Sequence, residues 1–326
     1  MKALCSCLLL LWACSSPANK VVESAPATSK TWSAAQASDA AAGYLLRHLD
    51  GEGRFDYLRR SRGDDEDYNL LRHAGAIYSL LQYNQTLPSV ELQAGILRAS
   101  RYLKSRYLRP VKGKPELLAA FSRPEEEGVR EGTAKLGGAG LALIALCGSF
   151  ALDPSTVTKS ELQALGAFIL FMQREDGSFH SKYFEGAGYD PEFQSLYYPG
   201  EAMLALTMLY EIDPDPRWLQ AGLRSAAQLV RSREGQRKLP ADHWMMLAGS
   251  PLLSLYPQVE DAPLSAAALR EHLALLGQRI RRGQKRRSAS AAPGEEGTFE
   301  RKARSTPSAT RLEGLLSLLK IQRSHG

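Results

Sequence analysis

Cysteine is nearly missing from the body of this chain. Cys5, Cys7 and Cys14 lie in the first fourteen residues, and only Cys147 lies beyond them. A single body cysteine closes no internal disulfide and offers no CxxC zinc framework. No apolar run reaches the roughly 20 residues that a membrane-spanning helix needs. Neither G-x-S-x-G nor H-E-x-x-H occurs, which removes two common hydrolase signatures. No strand-like alternation of useful length appears either, so the expected class is all-α. Charge of one sign is not in large excess: 41 basic residues face 35 acidic ones, a net +6. That balance does not read as a nucleic-acid binder. No structural metal, no cofactor and no nucleic-acid partner is expected.

What the chain does have begins with an address. Met1-Lys2 is a short positive start, Leu4 to Ala13 an apolar run, and Ser15-Ser16-Pro17 a small polar exit. This is a signal-peptide layout, too short to span a bilayer. The ending Leu11-Trp12-Ala13-Cys14 resembles a bacterial lipoprotein signal, with small Ala13 ahead of the cysteine and bulky Trp12 as a departure. The resemblance implies removal of residues 1–13, a lipid on Cys14, and anchoring in the cell envelope. With Ser15 rather than Asp after the cysteine, it favours the outer membrane, facing the periplasm. Residues 14–33 are rich in Ser, Ala, Pro and Lys and read as a flexible tether.

From Ala34 to about residue 323 the apolar period is about 3.6 residues. Helices alternate in kind. Ala34–His48, Leu92–Arg106, Lys159–Gln173, Pro216–Arg231 and Ser265–Arg281 are amphipathic, while Leu70–Tyr83, Leu136–Phe150, Gly200–Tyr210, Trp244–Tyr256 and Leu312–Ile321 are apolar nearly all round. A helix with one wet face belongs outside, and one without a wet face must be enclosed. Five hairpins, each an outer and an inner helix, satisfy both. The long loops fall between outer-helix end and inner-helix start, on one side of the scaffold, where function tends to sit. A basic, then Ser/Ala/Gly-rich segment over 282–307 reads as an insertion. Its leading run, Arg279 to Arg287, is most simply a solvated cluster, with contact to anionic lipid or cell-wall polymer as the sharper reading.

Gln173-Arg174-Glu175-Asp176-Gly177-Ser178-Phe179 resembles the Q-x-x-D-G-S-W/F turn of α/α-toroid proteins, and Asp50-Gly51-Glu52-Gly53-Arg54-Phe55 is a looser copy. That superfamily includes terpenoid cyclases, protein prenyltransferases and sugar-processing (α/α) barrels. The resemblance implies an α/α toroid of about five hairpins, an incomplete (α/α)6 barrel, with its active cavity at the inner-helix starts. Those starts are polar here: Tyr68, Arg72 and His73 at the first; Tyr198 and Glu201 at the third; His243 and Trp244 at the fourth; Arg311 and Glu313 at the fifth. Arg72 in a first turn opposes the helix dipole and calls for an anion opposite it. Glu201 sits where the same dipole favours its charge. Thr310 and Glu313 are spaced as a capping box, and Asp242 is a natural N-cap.

Acids beside tyrosines suit a glycan, with carboxylates for proton transfer and rings for stacking. On that reading Glu201, His243 and Asp190 are the candidate catalytic groups. Tyr68, Arg72, His73, Tyr198, Trp244, Arg311 and Glu313 are the candidate substrate contacts. The expectation is a lipid-anchored toroid acting on a carbohydrate or cell-wall glycan. The alternative is a non-catalytic glycan- or protein-binding scaffold of the same shape. Asp64-Asp65-Glu66-Asp67 reads as a solvated cluster rather than a cyclase acid, and Gly137-Gly138-Ala139-Gly140 as close helix packing rather than a phosphate cradle.

Overall fold

A computed structural model describes residues 33–56, 68–284, 297–299 and 305–325. The signal segment, Cys14, most of the tether, the acidic cluster at 64–67 and most of the 282–307 segment lie outside the described residues. The outer helices are α1 (Ala34–Arg47), α3 (Val90–Tyr107), α6 (Lys159–Phe171), α8 (Pro216–Arg233) and α10 (Ala266–Arg282). The inner ones are α2 (Leu70–Asn84), α5 (Leu136–Leu152), α7 (Tyr198–Ile212), α9 (His243–Leu255) and α11 (Ser305–His325), and α4 is a single turn (Pro124–Glu127). All five outer helices start on a side-chain cap: Ser33, Ser89, Thr158, Asp215 and Ser265 each accept a backbone N–H of the first turn, which supplies partners to otherwise orphaned donors.

The inner helices pack in chain order, α2 on α5, α5 on α7, α7 on α9 and α9 on α11. In α5, Leu136 through Cys147 is buried without a break, as expected of a helix enclosed by both its inner neighbours and the outer layer. Leu70, Ile77, Leu143, Ile144, Phe168, Leu206 and Trp218 form part of one continuous core. Among the described residues no helix is long and apolar enough to cross a membrane.

The Asp-Gly turn after an outer helix repeats closely. Arg174 N–H donates to the Ser178 carbonyl at 2.8 Å and His180 N–H to Met172 at 2.9 Å; Asp50 and Asp56 do the same to Arg54 and His48, each at 2.9 Å. The true counterpart of Gly177 is therefore Gly53, not Gly51. Both have left-handed backbone, φ +90° and +100°, which glycine adopts without cost. Both press on the next outer helix: a Cβ would lie 2.5 Å from the Arg224 carbonyl at Gly177 and 2.3 Å from the Arg98 carbonyl at Gly53. The turn thus staples consecutive hairpins. Gly177→Ala should cost about 1–2 kcal/mol for the backbone and about 1–3 kcal/mol more for overpacking. Gly51, with open space around its Cβ position, should tolerate Ala within about 0.5 kcal/mol. Urea midpoints of the two variants check this, and equal midpoints would refute the staple.

Strands do occur, contrary to the all-helical expectation for the loops. β1 (Leu108–Val111) pairs with β2 (Lys114–Ala120), and β3 (Thr133–Lys135), β4 (Lys182–Phe184) and β5 (Gly188–Tyr189) form a second small antiparallel sheet. Except for β2, these strands are too short to show a period of two. Their effect is to tie the second long loop to the third, at the end where the inner helices begin.

Candidate functional site

The starts of α5, α7 and α9 converge closely. Glu201 lies in the first turn of α7, is 5% exposed, and its Oε2 has no hydrogen-bond partner among the described residues. It rests against Gly137, where a Cβ would sit 2.3 Å from that oxygen and 2.3 Å from the Tyr198 ring. The glycine of the GGAG run therefore makes room for a carboxyl and a phenol, as close packing requires.

The dipole of α7 does not keep Glu201 ionised. Burial, with the nearby charge of Asp242 adding to it, pushes its pKa from an ordinary 4.5 up to about 8. At about 1.4 kcal/mol per pH unit, that desolvation far exceeds the 0.3–1 kcal/mol typical of a helix terminus. Glu201 therefore holds its proton to a much higher pH than an exposed glutamate does.

Next to it, α9 opens with Asp242 as N-cap. Asp242 is 0% exposed, accepts the Met245 N–H at 3.1 Å, and is ion-paired with Arg233 at 2.6 Å. His243 stands edge-on to Tyr197, ring centroids 5.0 Å apart. Burial lowers it to about 4, so its imidazole is neutral, and neither ring nitrogen has a hydrogen-bond partner among the described residues. Trp244 faces Tyr78 of α2 at 6.0 Å. The Tyr78 hydroxyl is raised by burial and by Glu313 of α11, whose own carboxyl burial also raises. Tyr78 of α2 and Trp244 of α9 thus meet, with Glu313 of α11 near enough for its charge to act on Tyr78. Tyr78 sits in mid-helix, where no start-of-helix signal marks it in the sequence.

Other expected site residues are occupied elsewhere. His73 is a core histidine: Nε2 donates to the Ala99 carbonyl at 2.9 Å, and Nδ1 is bonded to the Tyr68 hydroxyl at 2.7 Å. Tyr68 in turn accepts the Phe55 N–H at 3.0 Å. Asp190 builds a turn, accepting N–H groups of Phe193 at 3.1 Å and Glu192 at 3.0 Å, which hold it below the usual carboxylate range. Lys182 lies 3.6 Å from it. Arg311 donates to the Phe299 carbonyl at 2.8 Å. Thr310 and Glu313 are not a capping box, because α11 starts at Ser305, and the Thr310 hydroxyl donates back to Pro307 at 3.2 Å. Arg72 is exposed on the first turn of α2. Glu127, unforeseen in the PEEE turn, caps α2 through Leu70 N–H at 3.2 Å and pairs with Lys135 at the start of α5. Among the described residues no group of His, Cys, Asp and Glu could hold a metal ion.

Concentric helices with long loops over the inner-helix starts define an α/α toroid, and solved structures agree. A D-mannose isomerase is 13% identical with a TM-score of 0.56, over 90% of this chain and 88% of that one. An inactive α-1,6-mannanase of Salegentibacter sp. HEL1_6, in complex with α-1,6-mannotetrose, is 11% identical with a TM-score of 0.59, over 86% and 99%. Cellobiose 2-epimerase from Bacillus thermoamylovorans B4167 is 11% identical with a TM-score of 0.60, over 88% and 82%. No family model matches the chain, and no curated protein does. Identity at this level speaks for the fold alone.

Proposed function

We propose that the chain acts on a carbohydrate that stacks on the Trp244 ring, itself backed by Tyr78 at 6.0 Å, with Glu201 as proton donor and neutral His243 as acceptor. The observation that carries this is Glu201 itself, a buried carboxyl with an unpartnered oxygen beside aromatic rings. Two titrating groups pushed to opposite sides of neutrality are what acid–base chemistry requires. The inventory favours proton transfer within a sugar, of the epimerase or isomerase type, over glycoside hydrolysis. Hydrolysis calls for a second, ionised carboxylate, whereas Asp190 is spent on a turn, Asp242 on Arg233, and burial raises Glu313 above the usual carboxylate range. The mannose isomerase and cellobiose epimerase among the structural neighbours accord with this reading.

The test is a calorimetric screen of mono- and oligosaccharides, followed by incubation of each bound sugar in D2O. Binding should weaken at least tenfold in Trp244→Ala, and deuterium should enter the sugar only with Glu201 intact. Deuterium-silent binding that still needs Trp244 would favour the non-catalytic scaffold. Binding indifferent to Trp244→Ala and Glu201→Gln would dismiss this site.

The same proposal places the domain on the bacterial envelope, tethered through lipid on Cys14 and facing the periplasm from the outer membrane. The Ala13-Cys14 junction behind an apolar segment supports it. Metabolic labelling with an alkyne fatty acid should mark the chain, and the label should vanish in Cys14→Ser; persistent labelling refutes the assignment.

A further inference from the structure

Away from that centre, a second cleft of about 560 Å³ runs beside α10, bounded by the C-terminal end of α8 and the segment after it. Its volume falls within the roughly 300–1,000 Å³ of small-molecule sites. The α10 residues lining it extend from Ala268 to Arg282, roughly 20 Å of helix. Polarity changes along that length. Leu264, Ala268 and Leu275 line the earlier part, with Val230 and Leu239 adding apolar wall, and Leu275 is left 43% exposed. Arg279 and Arg282 come from the last turn of α10, and Arg231 from the last turn of α8.

Three observations set the cleft apart from an ordinary solvated surface. Four arginines, Arg231, Arg237, Arg279 and Arg282, line it against Glu234 and Glu271, and none of the four makes an ion pair among the described residues. Arg233 also lines it but is neutralised by Asp242. His272 is 5% exposed, lines the cleft, and its Nε2 has no hydrogen-bond partner among the described residues. Basic residues closing a helix complement its dipole, but that accounts neither for the apolar wall nor for an orphaned imidazole.

We propose that this cleft binds an anionic amphiphile, its phosphate or carboxylate head among the arginines and one alkyl chain along the apolar wall. Guanidinium groups match such heads in a two-pronged geometry. The His272 N–H supplies a further donor, and the leucines cover the chain. The site stands apart from the sugar reading and does not rest on it.

Titration calorimetry on the full chain carrying Cys14→Ser tests it with dodecyl phosphate below its micellar concentration, inorganic phosphate, and dodecyl maltoside. Dodecyl phosphate should bind at least tenfold more tightly than either of the others. Its affinity should fall at least tenfold in Arg279→Glu/Arg282→Glu and in Leu275→Asp, all surface changes, and remain unchanged in Glu201→Gln. Unaltered affinity in the arginine variant, or inorganic phosphate binding as tightly as dodecyl phosphate, overturns the proposal. Sedimentation with phosphatidylglycerol vesicles then separates sources. Loss in the arginine variant supports a bilayer lipid as the ligand, and unchanged sedimentation supports a free amphiphile; either result keeps the cleft.

Discussion

Arg233→Met is expected to cost the fold about 3–5 kcal/mol at neutral pH, because it strands Asp242 as a buried charge without its partner. Arg233 is 7% exposed and Asp242 0%, so water cannot take over the guanidinium's role. Methionine keeps most of the stem's volume, which makes lost packing a minor part of the effect. Asp242 already titrates above the usual carboxylate range, since burial outweighs the help it receives from Arg233. Losing Arg233 lifts it further. A carboxyl with a raised folded pKa binds its proton more readily folded than unfolded, so stability declines as pH climbs toward that folded value. The penalty should therefore be smallest near pH 4 and grow upward. Adding Asp242→Asn retains an N-cap for Met245 and should recover most of the loss. A denaturant series showing less than about 1 kcal/mol, or a penalty flat with pH, would contradict this account.

How much of this could be read from residues alone divides along physical lines. The alternation of half-wet and fully apolar helices is a property of local periodicity, and it placed all five hairpins. Glu201, His243 and Trp244 could be named because a polar group at the start of an otherwise apolar helix is conspicuous. The same signal misled at His73, where the partner carbonyl of Ala99 and the Tyr68 hydroxyl are invisible to spacing. It also misled on the charge of Glu201, since the sequence displays a helix start but not how deeply Gly137 lets the carboxyl sink. The beginning of α11 was hidden by Ser305-Thr306-Pro307-Ser308, low in helix propensity, although proline in a first turn is well tolerated. Gly51 and Gly53 could not be told apart as the Gly177 equivalent without the hydrogen bonds that set the register.

Glu201→Gln should separate stability from function. Below pH 4.5 the native carboxyl is protonated both folded and unfolded, so the two proteins should differ only by what the amide's hydrogen bonds cost. As pH rises toward the folded value of about 8, the unfolded chain ionises freely while the folded one pays desolvation. From pKa values of 4.5 and about 8, the stability gap should move in the variant's favour by several kcal/mol, on the order of 1.4 per pH unit across that window. Above pH 8 it should level off. Over the same range the variant cannot release a proton to a bound sugar, so turnover should drop by roughly 10²–10⁴. A carboxyl kept only for packing would lose nothing on amidation. One kept for chemistry is retained despite its cost to the fold, because a group poised to donate must be held where its charge is unwelcome. Parallel melting curves for the two proteins from pH 4.5 to 9 would show that Glu201 is solvated and ionised, and that no proton is stored at this site.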